Sequence, residues 1–373
     1  MLDLPMSPKR RKVVVKESRD WSDLHGDILR LIKEKLCLID QLRFRAVCRS
    51  WRSVPYVKSA DKLPWILGLR KAFGCKFLAY YLYDPFNRIE YVLGHQLARS
   101  HNVEVYASKH GWLFLGDHES KLFLYHAFTK KTIHLPTLKL ASTFFRSTGT
   151  FSTIPTSSDC VFYVLDSGWN QTDSIMLYTY RNGDLTWSKF ELANPSLSLN
   201  IICSKEGLLY CFFDMAVMWA FDIACGDWRQ IPIDASEIKY LDSDFQAKGM
   251  SPYRSFKVVE SCGELLLVYY RFAFKPWYVF KLDWSLMAWV KQVELGNHAL
   301  FIGETSFSIP TDGEIKSLAG HIYFHGDVRP HFYSFKNSAR HKNSEFRPLR
   351  CKYYSHLKRL PRQFEWVWIE PHS

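Results

Sequence analysis

The sequence lacks most of what would mark a membrane protein, a secreted protein or an enzyme. No apolar run approaches the roughly 20 residues a membrane span needs. The basic N-terminal stretch has no apolar segment of the kind a secretory signal carries. The nine cysteines (37, 48, 75, 160, 203, 211, 225, 262, 351) form no Cys-x-x-Cys pair and their number is odd, so neither a zinc ribbon nor a disulfide framework is legible. Most of them sit in apolar, strand-like runs, where a free thiol behaves as a small hydrophobe. That suits a reducing compartment, cytosol or nucleus. There is no Gly-x-Ser-x-Gly, no phosphate-cradling glycine loop and no His-Glu-x-x-His. His321 and His325 lie four apart, but Gly-His-Ile-Tyr-Phe-His-Gly reads as a strand. A strand sets them about 13 Å apart on one face, too far for one metal. No catalytic residue, cofactor or metal is expected.

Acidic residues are also in short supply, 37 against 49 Lys and Arg, for a net charge of +12. Aromatic residues, by contrast, make up 16% of the chain and apolar residues 47%, ample material for a core. At 373 residues the chain holds one small module and one large domain, or two to three average ones.

The stretch Asp20–Arg52 reads as two or three short helices. Ile28, Leu29, Ile32 and Leu36 form a stripe at helical period. Asp27 stands in the first turn and Lys33 and Lys35 in the last, the order that the helix dipole favours. Asp40 offers an N-cap to a second helix, on which Leu42, Val47 and Trp51 share a face while Arg43, Arg45, Arg49 and Arg52 point elsewhere. A unit of about 35 residues is too small for a self-sufficient core, so part of this apolar surface is expected to meet a partner.

Leu24, Asp27-Ile28-Leu29, Ile32 and Leu36, followed after a gap by Val47-Cys48-Arg49-x-Trp51-Arg52, resemble an F-box. The resemblance implies docking of a Skp-type adaptor, and through it a cullin, by Leu24, Ile28, Leu29, Ile32, Leu36, Leu42, Val47, Cys48 and Trp51. One residue departs from the family pattern: His25 stands where a proline usually follows the first leucine. Proline presets a first helical turn, so His25 is expected to weaken docking without abolishing it. The plain alternative is an amphipathic hairpin packed on its own downstream domain. The F-box is expected over residues 20–58.

Residues 1–19 are polar and carry Pro5 and Pro8, the composition of a disordered tail. Within them Lys9-Arg10-Arg11-Lys12 is a compact basic run of the kind read as a nuclear-import signal, the alternative being a solvated tail. The expected location is the nucleus, with a cytoplasmic pool.

Beyond Val54-Pro55 no helix longer than two turns is expected. Short β-rich runs follow, among them Phe77–Tyr83, Lys121–Tyr125, Cys160–Leu165, Ile175–Tyr180, Gly207–Phe213 and Glu264–Tyr270, divided by turn signals such as Asp84-Pro85, Asn182-Gly183 and Cys225-Gly226-Asp227. An apolar or aromatic residue, six residues, then Trp recurs as Tyr180…Trp187, Phe221…Trp228 and Leu282…Trp289. Tyr125…Thr132 keeps the spacing, and Tyr83…Tyr91 is one residue longer. The first residue should end one strand and the second open the next across a hairpin. The units, roughly 63–94, 95–136, 155–192, 200–233, 256–295 and 317–350, have the size of a four-stranded propeller blade. Phe364–Ile369 alternates like one more strand and can complete the first blade. The fold class expected is mainly β: a small N-terminal α-helical F-box, then a six- (or seven-) bladed β-propeller over 62–371. A β-sandwich or two barrels is the alternative.

The aromatic-x6-Trp spacing resembles the kelch repeat without its paired glycines. An F-box followed by such a kelch-like propeller resembles a large plant family of F-box proteins whose C-terminal domain long stood as one of unknown function. The resemblance implies a non-catalytic substrate receptor of a Skp-cullin-F-box ubiquitin ligase, its propeller capturing a target protein the sequence does not identify. The alternative is an F-box-like propeller acting outside a ligase, as a scaffold or nucleic-acid binder. The basic stretch Arg340–Arg362, interleaved with Tyr353 and Tyr354, bears on that alternative. A solvated loop is the preferred reading of it.

Overall fold

The computed structural model describes residues 20–371 except 37, 56–62, 71–79, 86, 94–102, 118–120, 141–146, 167–173, 194–199, 204–206, 248–253, 272–273, 326–329 and 336–363. The tail 1–19 with Lys9–Lys12, and the basic stretch 340–362, lie outside the described residues. The chain divides into two compact units, residues 1–59 and 60–373.

In the first unit a single 3₁₀ turn, Trp21–Asp23, precedes α1 (Gly26–Glu34), α2 (Leu38–Phe44) and α3 (Arg49–Ser53). Asp40 is not a cap. It lies inside the first turn of α2, where its carboxylate accepts from Arg43 Nη1 at 3.0 Å. The single second helix expected from Asp40 onward is two helices. The chain breaks at Cys48, whose extended backbone (φ −158°, ψ 179°) makes it the N-cap of α3. Val47 therefore belongs to the connection between helices, and Leu42, Val47 and Trp51 share no helix face. Apolar periodicity does not register a break that falls between two short helices of similar pattern.

The second unit is a six-bladed β-propeller, six sheets of four strands each. Blade 1 takes β1 (Trp65–Arg70), β2 (Tyr80–Asp84) and β3 (Ile89–Leu93). Blade 2 is β4 (Val103–Lys109), β5 (Trp112–Asp117), β6 (Leu122–His126) and β7 (Thr132–His134). Blade 3 is β8 (Ser147–Phe151), β9 (Val161–Asp166), β10 (Ser174–Arg181) and β11 (Ser188–Ala193). Blade 4 is β12 (Asn200–Cys203), β13 (Leu208–Phe212), β14 (Val217–Asp222) and β15 (Asp227–Pro232). After α4 (Ser236–Ala247), blade 5 is β16 (Arg254–Ser261), β17 (Glu264–Arg271), β18 (Phe274–Asp283) and β19 (Ala288–Lys291). Blade 6 is β20 (His298–Ile302), β21 (Phe307–Pro310), β22 (His321–His325) and β23 (Pro330–Ser334).

The last strand, β24 (Phe364–Ile369), returns to blade 1 and pairs antiparallel with β1 from Trp65↔Ile369 to Arg70↔Phe364. Gly68 sits opposite Trp366, and a Cβ there would stand 2.5 Å from the indole ring. The inner strands β24, β4, β8, β12, β16 and β21 meet in ring order. Blades 6 and 1 are tied by the Thr305 hydroxyl, which donates to the Trp368 carbonyl at 2.6 Å.

Burial follows radius. Middle strands lie between two neighbouring blades and are apolar on both faces: all six residues of β9 and all five of β6 are buried. Outer strands face water on one side, and β7 and β15 contain no buried residue. The core is therefore a series of seams between successive blades. Phe114 and Leu124 of blade 2 pack with Phe151 and Phe162 of blade 3. Phe212 and Met218 of blade 4 likewise pack with Leu267 and Trp289 of blade 5.

The x6 spacing is a hairpin register. Phe221 pairs directly with Trp228, Leu282 with Trp289 and Tyr125 with Thr132, while the Tyr180 and Trp187 rings lie 5.4 Å apart. Tyr83 faces Glu90, not Tyr91, so blade 1 keeps the common spacing with a glutamate in the Trp position. Three expectations fail. The inner strand of blade 3, β8, lies ahead of the expected unit 155–192. α4 runs for 12 residues, longer than any helix expected there. Its start is capped by Asp234, which accepts from Ser236 N at 2.9 Å, and Ile238 anchors it against the seam between blades 4 and 5. Blade 6 also begins earlier than the unit 317–350. Its hairpin β20–β21 comes first, β21 lies innermost, and β22 adds to the far side of β20, so that β20 and β22 run parallel.

Candidate adaptor-docking surface

The first unit is laced together by side chains reaching backbone. The Asp20 carboxylate accepts from Ser22 N at 3.0 Å and starts the 3₁₀ turn. That turn is held to α3 by Ser50 Oγ, which donates to Ser22 O at 2.8 Å, and by Trp51 Nε1, which donates to Trp21 O at 3.0 Å. Lys33, fully buried, donates from Nζ to Val54 O at 2.9 Å and Pro55 O at 3.0 Å. Its charge therefore sits on the carbonyls where α3 ends, a favourable place for a cation. Burial, and secondarily Arg45, pulls its pKa down. Lys33 lies in the last turn of α1, as its place in the sequence implies, and its ammonium also pins α1 to the end of α3.

His25 is the N-cap of α1. Its Nδ1 accepts from Asp27 N at 3.4 Å and lies 3.3 Å from the Asp27 carboxylate. The same nitrogen can accept from the amide or donate to the carboxylate, depending on whether it carries a hydrogen. The backbone at His25, φ −58°, is one that proline also adopts. His25 thus replaces a rigid residue with a hydrogen-bonded cap.

The residues expected at the adaptor fall into three groups. Leu29 is buried with Phe44 and Val54, and Leu24, Ile32, Leu36 and Trp51 pack against them. The Phe44 and Trp51 rings stand 4.4 Å apart. These side chains build the unit itself. Leu42 and Cys48 are half-buried, with Cys48 Sγ 3.0 Å from Ser50 Oγ. That bond chiefly, with the Trp51 backbone, pulls the thiol pKa down. Left in water are Ile28, 47% exposed, and Val47, 59% exposed, together with two residues outside the expected set, Leu31 at 59% and Trp21 at 72%. Leu31 is three residues from Ile28, a neighbouring position on one helix face. That i, i+3 pair is the signal that could have found it.

In the second unit no group of three or more metal-ligating side chains occurs among the described residues. His321 is in a strand, its Nδ1 3.0 Å from the Ala319 carbonyl. One titratable cluster stands at the ends of the inner strands. Burial pushes the Glu370 carboxyl up to about 7; Lys109 opposes that, Glu260 adds to it, and the His110 backbone N–H opposes it. Lys109 Nζ itself donates to Phe151 O at 3.1 Å.

Comparison with known proteins agrees with both halves of this geometry. Residues 21–55 match the F-box domain and residues 84–346 match the KIB1-4 beta-propeller. The chain is 26% identical over 309 residues to an F-box/kelch-repeat protein of Arabidopsis thaliana, covering 82% of each chain. It is 26% identical over 295 residues to an F-box protein of the same plant, covering 76% of this chain and 72% of the relative. A probable F-box protein of that plant is 24% identical over 368 residues, 86% of this chain and 88% of the relative. With an F-box at its N-terminal end and a propeller match spanning most of its length, the chain belongs to the KIB1-4 beta-propeller family of F-box proteins.

Proposed function

We propose that this chain is the substrate-recognition subunit of a Skp-cullin-F-box type ubiquitin ligase. The F-box docks a Skp-type adaptor, and through it a cullin, while the propeller holds a target protein. The observation that carries this reading is the set of large apolar side chains, Trp21, Ile28, Leu31 and Val47, that the helical unit leaves in water. A unit this small gains little by exposing them unless a partner covers them. The protein performs no bond chemistry in this reading. It works by raising the effective concentration of a target near a ubiquitin-charged enzyme.

Binding of the purified full chain to a purified Skp-type adaptor, measured by calorimetry, tests the reading. Leu31→Ala, exposed and so harmless to the fold, should cost about 2 kcal/mol of binding, roughly 30-fold in affinity. His25→Pro keeps the backbone and loses the imidazole cap, and its binding should be at least as strong as that of the parent chain. If neither the parent chain nor His25→Pro binds any Skp-type adaptor, the alternative of a propeller acting outside a ligase takes its place.

The proposal also puts the protein in the nucleus with a cytoplasmic pool, on the basic run Lys9-Arg10-Arg11-Lys12. Replacing all four by Ala should move a tagged protein to the cytoplasm. An unchanged distribution would remove the import signal from the reading.

A further inference from the structure

Two chemistry-bearing side chains from different blades meet outside everything described above. Cys262 is a free, exposed cysteine. It is the first central residue of the turn between β16 and β17, where Ser261 pairs with Glu264. With φ 53° at Cys262 and 85° at Gly263, the backbone is that of a tight hairpin turn with two left-handed residues. His298 opens β20 in the next blade. Its backbone is held on both sides: its N–H donates to Leu295 O at 3.2 Å, and its carbonyl accepts from Gly320 N at 2.9 Å. The Cys262 sulfur and His298 Nε2 stand 3.1 Å apart.

A thiol is a nucleophile only as thiolate, and a neutral imidazole nitrogen at hydrogen-bond distance is the base that makes one. We propose that Cys262 and His298 form a nucleophilic thiol–imidazole pair, a modification site at the seam of blades 5 and 6 that reacts with peroxides and small electrophiles. With hydrogen peroxide, Nε2 takes the thiol proton and the sulfur attacks one peroxide oxygen. The S–O bond forms, the O–O bond breaks, and the departing hydroxide takes the proton from the imidazolium and leaves as water. The sulfur is oxidised to a sulfenic acid and the peroxide is reduced. The inference is independent of the ligase reading and stands or falls without it.

Cys225 supplies the internal reference. It is also free and exposed, and its sulfur faces the Asp222 carbonyl at 3.8 Å rather than an imidazole. The folded full chain is treated with limiting iodoacetamide, quenched over time, and the two cysteine peptides are quantified by mass spectrometry. Cys262 should alkylate on the order of tenfold faster than Cys225. In His298→Gln, checked for an unchanged melting temperature, the two rates should converge. Brief hydrogen peroxide followed by dimedone should tag Cys262 in the parent chain and leave it untagged in His298→Gln. Equal alkylation rates in the parent chain would overturn the proposal, a result that needs no variant to fold. So would a fast Cys262 that keeps its rate in His298→Gln.

Discussion

Trp187, Trp228 and Trp289 hold one place in three blades and differ in a single hydrogen bond. Trp187 Nε1 donates to Pro136 O at 2.9 Å and Trp289 Nε1 to Met215 O at 2.7 Å, each reaching back to the preceding blade. Trp228 Nε1 is buried and has no acceptor among the described residues. Removing a bonded indole N–H leaves its buried carbonyl acceptor unsatisfied and costs that group's desolvation as well as the bond, whereas removing an N–H that has no acceptor orphans nothing. Trp289→Phe should therefore lower unfolding stability by about 1–2 kcal/mol beyond the loss of ring area. Trp228→Phe should show almost none of that extra cost. Urea unfolding of both variants checks the contrast.

Glu370 offers a second test at this scale. Its folded pKa, about 7, lies above the ordinary 4.5, so the fold prefers the protonated form. The stability this contributes is full below about pH 4.5 and is lost as pH rises through 7. Glu370→Gln should be more stable than the parent chain at pH 8, by on the order of 2 kcal/mol, with the difference gone near pH 4.5. Melting temperatures of both proteins across that range measure it.

At the level of elements, the repeat contains more than the aromatic-x6-Trp spacing. The residue after its first position caps the turn. Asp84 accepts from Asn87 N, His126 Nδ1 from Thr129 N, Asp222 from Ala224 N and Asp283 from Leu286 N. Four residues further on the backbone is left-handed in each case, at Arg88, Lys130, Gly226 and Met287. Blade 3 departs from this: Arg181 holds the cap position, and its N–H is taken by Asp184. The strands and hairpins were legible because apolar runs and turn residues are local. α4 was not, because Ser236–Ala247 is mostly polar and owes its place to Asp234 and to Ile238 buried between blades. The pairing of β20 with β22 was not legible either, since strand order in a sheet leaves no mark on the periodicity of a single strand. The helical unit was half legible. The stripe of α1 was visible, but which of its residues face inward depends on Phe44, Val54 and Trp51 arriving from elsewhere.

For the whole propeller, the decisive contact is the one between its two ends. β24 lies more than 290 residues after β1 in sequence, yet it is the inner strand of the first blade, with Trp366 and Trp368 in the seam to blade 6. Without it β1 presents an unpaired edge and the Thr305 bond to Trp368 has no acceptor. A chain ending at residue 363 should therefore lose cooperative unfolding and aggregate. The checks are a denaturant titration and light scattering. A sharp, fully reversible transition at the parent midpoint would show that ring closure contributes little.

By itself the sequence determined the class of each half, because its evidence is short-range. An F-box pattern sits in some 35 residues, and a blade announces itself through alternating apolar strands and an x6 hairpin register. The tertiary structure alone decided three other matters. Among the apolar residues of the F-box it buried Leu29 and left Ile28, Leu31, Val47 and Trp21 in water. It sank Lys33 onto the end of α3. It also brought Cys262 to His298 across two blades. In each case the partner lies distant in the chain, and a side chain's burial, charge and reactivity are set by what surrounds it in space.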